Sequence, residues 1–169
     1  MLEPDDDGGV VIGVGSPLMG DDGLGLVALE ALREQWSFEP HLELLDGGTW
    51  GMNLLPFIES ARRVMIIDAV HGGVEAGSFI KLERADIPRF FALKLSPHQI
   101  DLKEVLALAE LRGNLPEQTV VLGLEPAVVE MSASLSPTVA ERIPELVDEV
   151  VGHLEGWGYD VRPKESGRR

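Results

Sequence analysis

The 169-residue sequence contains no cysteine. That absence excludes disulfides, thiolate zinc sites, iron–sulfur clusters and a cysteine nucleophile together. Any metal must sit on oxygen and nitrogen ligands. Basic residues are scarce, with 14 Lys and Arg against 29 Asp and Glu, for a net charge of −15. A surface of that sign repels a phosphate backbone, so nucleic acid is not an expected partner. No run approaches the ~18 apolar residues of a membrane span. The acidic start Met1–Asp7 lacks the basic residues of a secretory signal. The expectation is a soluble, cytoplasmic protein with no membrane partner. Several catalytic signatures are missing too. The sequence has no G-x-S-x-G elbow, no H-E-x-x-H pair and no Gly-Lys-Ser/Thr of a P-loop. It has no internal repeat.

What is present suffices for one core. Apolar residues make up 44% of a chain of single-domain length. Residues 1–8 read as an acidic lead-in, 9–161 as one α/β domain, and 162–169 as a flexible basic tail. Short apolar runs alternate with helical patterns. Strands are expected at 10–14, 42–45, 64–67, 78–82 and 119–124. Helices are expected at 22–35, 53–61, 102–111 and from 139 to about 154. In the third helix Leu102, Val105, Leu106 and Ala109 share a face, and Gly113 is a stop. Pro144 bends the last helix or marks its start. This alternation gives an α/β sandwich on a mostly parallel sheet. Too little chain precedes the fourth strand for a helical crossover, so that strand should run antiparallel at or near an edge.

The segment Gly13-Val-Gly-Ser-Pro-Leu-Met-Gly20 links a strand to a helix, where a dinucleotide fingerprint would lie. The third fingerprint glycine would fall at Leu18, however, and Asp21 and Asp22 stand where a pyrophosphate needs bare N–H groups. The acidic pair reads either as a helix cap or as part of a site. Asp68 ends the run Val-Met-Ile-Ile-Asp, at a strand edge where α/β sheets bind ligands. It caps a neighbouring helix or serves a site. Asp46 ends its own strand and fits an Asx turn into Gly47-Gly48. Of the histidines, His41, His71 and His153 are weak candidates, and His98 lies in Ser-Pro-His-Gln just before a helix.

Taken in order, these pieces resemble the maturation endopeptidases of nickel–iron hydrogenases. The matching segments are 13–25, 46–51 (Asp-Gly-Gly-Thr-Trp-Gly), 66–69 (Ile-Ile-Asp-Ala) and 96–99 (Ser-Pro-His-Gln). Residues 122–126 (Leu-Gly-Leu-Glu-Pro) and 136–138 (Ser-Pro-Thr) also fit. Ser16-Pro17 replaces the family's usual Asn, and Asp21-Asp22 replaces the Asp-Glu of many members, so Asp22 reaches one methylene less. The resemblance implies a three-layer αβα sandwich with a twisted, mostly parallel five-stranded sheet. It implies a metal site on Asp22, Asp68 and His98, which are then also the catalytic residues. It implies substrate recognition at Asp46, Gly47 and Gly48. It implies cleavage of a C-terminal extension from the nickel-loaded large-subunit precursor.

An O₂N ligand set of this kind suits Ni, Zn, Fe or Mn. Such a cation polarises a scissile carbonyl and lowers the pKa of a bound water, to about 7 in favourable zinc sites. The nickel is expected to arrive with the substrate, although Zn or another divalent ion could occupy the same set. A monomer is expected. The competing classes are a Rossmann-like nucleotide-binding protein and a non-catalytic binding module for the large subunit.

Overall fold

The structure, a computed structural model, describes residues 6–48, 51–87 and 97–165, with backbone only at 6, 7, 97–101 and 103. Ser96 of the Ser-Pro-His-Gln motif and residues 166–169 lie outside that set. The first strand, β1 (Asp6–Val14), leads through a 3₁₀ turn (Gly20–Gly23) into helix α1 (Leu24–Gln35). Strands β2 (Trp36–Glu39) and β3 (His41–Gly48) follow, then α2 (Leu55–Ser60), β4 (Arg63–Ala69) and β5 (Phe79–Glu83). The chain continues with α3 (Pro97–Leu111), β6 (Gln118–Leu124), α4 (Pro137–Ala140), α5 (Ile143–Gly156) and β7 (Asp160–Pro163).

Five strands form one sheet in the order β3-β1-β4-β6-β5. All neighbours are parallel except β5, which runs antiparallel to β6 at the edge. Successive side chains of a strand face opposite sides, and the burial follows that period. Val11, Met65, Ile67, Val120 and Leu122 pack with α1 and α5 on one face. Val10, Ile12, Val64, Ile66 and Val121 pack with α2 and α3 on the other. The three-layer αβα sandwich is therefore present, with both sheet faces covered, as a parallel sheet requires. No helix of the described residues is long and apolar enough to cross a membrane.

The structure departs from the sequence reading at the ends of the chain. Asp6–Gly8, read as lead-in, belong to β1. Arg162 and Pro163, read as tail, lie in β7 and pair with Ser37 and Trp36 of β2 in a second, two-stranded sheet. Lys164 extends this contact, its N–H donating to Gln35 O at 2.8 Å. The last helix is two helices, α4 and α5, and Pro144 sits in the first turn of α5, where a missing N–H costs nothing.

Candidate active site

Strands β1 and β4 are neighbours, yet the chain leaves them in opposite directions. From β1 it passes through α1, on one face, to β3. From β4 it passes through β5 and then α3, on the other face, to β6. The crevice above the carboxyl ends of two such strands is where open α/β sheets bind ligands. Asp22 lies in the 3₁₀ turn reached from β1, and Asp68 is the penultimate residue of β4. The turn that follows β1 and the end of β4 thus bring Asp22 and Asp68 to the carboxyl side of two neighbouring strands.

Two close backbone approaches build that crevice. A Cβ on Gly25 would meet Ile67 O at 2.2 Å and Val14 O at 2.6 Å. Only a residue without a side chain lets the start of α1 rest on the ends of both strands. A Cβ on Gly123 of β6 would stand 1.9 Å from the O of Asp68, its partner in register on β4. Glycine there lets the backbone carrying Asp68 lie undisturbed.

Both acids are almost fully buried, Asp22 at 2% exposure and Asp68 at 0%. Asp22 Oδ2 accepts the Ser16 N–H at 3.1 Å, and Asp68 Oδ1 accepts the Ala69 N–H at 2.8 Å. Donors of this kind orient carboxylates and offset part of the cost of burying them. Two hard oxygen donors on adjoining elements suit a divalent cation. His98 stands in the first turn of α3, and its side chain lies outside the described residues. Among the described residues, no group of three His, Asp or Glu is placed to hold a metal.

The acidic pair divides its labour in a way the sequence could not reveal. Neither the 3₁₀ turn nor α1 has a side-chain cap, so the capping reading of Asp21-Asp22 fails. Asp21 faces a distant loop instead. Its Oδ2 accepts the N–H groups of Ala127 and Val128 and the Ser136 hydroxyl, at 2.8, 2.9 and 2.8 Å. Its Oδ1 accepts the Ser136 N–H at 2.7 Å. Asp21 therefore pins the loop that follows β6 to the loop that follows β1, whereas Asp22 accepts from Ser16 within the first loop.

Asp46 lies at the end of β3, one strand away, and is exposed. Gly47 is buried, and a Cβ there would press on Ile12 at 2.9 Å. The Gly15 N–H donates to Gly48 O at 3.0 Å, which ties this turn to the first loop. The segment 46–48 thus borders the crevice without supplying a buried acid to it.

One functional candidate lies inside the matching segment 122–126 but drew no role from the sequence. Glu125 follows the end of β6 and is buried. Its Oε1 accepts the N–H groups of Gly72 and Val74, both at 2.9 Å, and its Oε2 stands 3.9 Å from His71 Nδ1. Its signal in the sequence was the one that marked Asp68, an acid closing an apolar strand. The remaining histidines lie elsewhere. His41 is exposed beside Glu43 on β3. His153 of α5 packs edge-on against Trp157, and burial, followed by the positive charge of Lys81, lowers its pKa.

Comparison with known proteins decides the family. The HycI hydrogenase maturation protease model matches residues 27–153, which include Asp46, Asp68 and His98. The chain belongs to the hydrogenase maturation protease family. Among its relatives is the hydrogenase expression/formation protein HupD of Rhodobacter capsulatus. That protein is 36% identical over 154 residues, covering 90% of this chain and 73% of the relative. The hydrogenase 2 maturation protease of Escherichia coli is 32% identical over 158 residues, 93% of this chain and 96% of the relative. The solved structure of the hydrogenase maturating endopeptidase HybD from E. coli has a TM-score of 0.87 and 31% identity, covering 94% of this chain and 98% of that one. The chain is accordingly an endopeptidase of hydrogenase maturation.

Proposed function

We propose that this protease removes a C-terminal extension from the nickel-loaded large-subunit precursor of a nickel–iron hydrogenase. The observation that carries the reading is the pair of buried carboxylates, Asp22 and Asp68, at the point where the chain parts above β1 and β4. Together with His98 they would form an O₂N set toward a divalent ion. The ion belongs to the substrate, and it supplies Lewis-acid polarisation of the scissile carbonyl. The chain's own part is to hold two oxygen donors in fixed orientation and to present the precursor's peptide at the crevice. Asp46, Gly47 and Gly48 border that crevice and take part in choosing the precursor. The protease acts as a cytoplasmic monomer.

Recognition through a substrate-borne ion accounts for selectivity, because a precursor without nickel lacks the bridging contact. Cleavage of loaded and nickel-free precursor at equal rates would refute it. The nucleotide-binding alternative is not favoured. The first turn after β1, where a pyrophosphate would sit, holds the buried acids Asp21 and Asp22. A non-catalytic module is not favoured either, because the E. coli relative and the E. coli solved structure are named a protease and an endopeptidase.

A further inference from the structure

We propose that Glu125 is a positioning residue for the peptidase reaction. It holds the turn at 71–74 as a rigid wall of the edge where the precursor binds. This rests on the reading that Asp68 belongs to the active site.

The turn leaves the sheet at the end of β4, with His71 three residues beyond Asp68. It is rich in glycine. A Cβ on Gly73 would meet nothing within 4 Å, and Val74 is half exposed. Its outer side is therefore open at the same sheet edge as the crevice. Such a segment would be mobile if left alone, because glycine has the most backbone freedom to lose.

Glu125 supplies the order from beneath. One of its oxygens accepts two N–H groups of the turn, from Gly72 and Val74, and the other faces His71 Nδ1. Its own backbone is bonded to the far end of the same loop, with Gly77 N–H donating to Glu125 O at 2.8 Å and Glu125 N–H donating to Ser78 O at 2.9 Å. Val70 N–H donates to Leu124 O at 3.1 Å, which fixes the near end. One residue thus ties down the middle of the turn, and the ladder around it ties down both ends. A buried carboxylate is a costly way to do this unless its acceptors are used. A turn ordered in advance spares the precursor the entropy of ordering it on binding.

The test compares Glu125→Gln with Glu125→Asp in cleavage of nickel-loaded precursor. Both variants are conservative enough to fold. The glutamine carbonyl oxygen can still accept from both N–H groups, whereas aspartate keeps the charge and loses the reach. We expect Glu125→Gln to stay within about threefold of the parent in KM and kcat. We expect Glu125→Asp to raise KM at least about tenfold with kcat within about threefold, and to speed amide exchange at Gly72 and Val74. An unchanged KM in Glu125→Asp, a loss confined to kcat, unchanged exchange, or a glutamine variant as impaired as the aspartate one would each overturn the proposal. Asp68→Asn is measured alongside. If it still cleaves, the active-site reading fails and the proposal with it. Failure of the Glu125 variants alone leaves that reading standing.

Discussion

At the scale of single residues, two adjacent carboxylates have different partners. Asp22→Ala and Asp68→Ala remove crevice donors while leaving the core packing in place, so each should abolish precursor cleavage in a protein that still unfolds cooperatively. Cleavage assays paired with thermal melts check this, and full activity in either variant would contradict the assignment. Asp21→Ala is a different experiment. It strips the acceptor from three backbone N–H groups and one hydroxyl. An orphaned buried donor costs about 1–3 kcal/mol, and because Ala127 and Val128 are exposed enough for water to reach theirs, a total loss of about 1–3 kcal/mol is expected. Urea denaturation measures it. The distinction between Asp21 and Asp22 was invisible in the sequence because the partner of Asp21, Ser136, lies 115 residues away. Glu125 drew no role from the sequence for a similar reason. Its donors at Gly72 and Val74 come from another strand's loop.

At the scale of elements, close packing of backbone on backbone decides whether the crevice exists. Gly123→Ala would drive a methyl into Asp68 O and push β6 away from β4. Overpacking of this kind costs about 1–3 kcal/mol, and here it should also displace Asp68 and lower cleavage more than stability alone predicts. The pairing of β7 with β2 gives a second test. A chain ending at Tyr159 loses the strand that covers Trp36 and Phe38, whereas one ending at Glu165 keeps it. The shorter chain should melt several degrees lower, by about 4 °C for each 1 kcal/mol lost. Equal melting temperatures would mean that the small sheet contributes nothing.

Helix α5 carries a pH-dependent contribution. Burial and Lys81 lower the pKa of His153, and Glu83 opposes them. The unfolded chain then binds that proton more readily than the folded one. The stability conferred by neutral His153 is present above about pH 6.5 and is lost as pH falls through the lowered folded value. His153→Gln should shrink the drop in unfolding midpoint between about pH 7.5 and about pH 5.5.

At the scale of the whole molecule, the order of the parallel strands makes the site. Much of that architecture was legible because burial on both faces leaves a plain signal, the continuous apolar runs around Val10–Val14, Val64–Ile67 and Thr119–Leu124. The antiparallel edge strand followed from chain length alone, since about ten residues between Asp68 and Phe79 leave no room for a crossover helix. The β2–β7 pair was not legible. Trp36–Glu39 and Asp160–Pro163 have four residues each, too short for a pattern, and they pair across more than a hundred positions of sequence. The strand-end rule located Asp46 and Asp68, but strand order, which puts β4 rather than β3 opposite the start of α1, emerges only in three dimensions.

Removal of a C-terminal peptide from a nickel-loaded hydrogenase large subunit changes the mass of that subunit. Intact mass of the precursor, measured before and after incubation with the protease, should fall by a C-terminal segment, and should stay unchanged when Asp68→Ala replaces the parent protein. A precursor that binds the protease and keeps its full mass would contradict the proposed function.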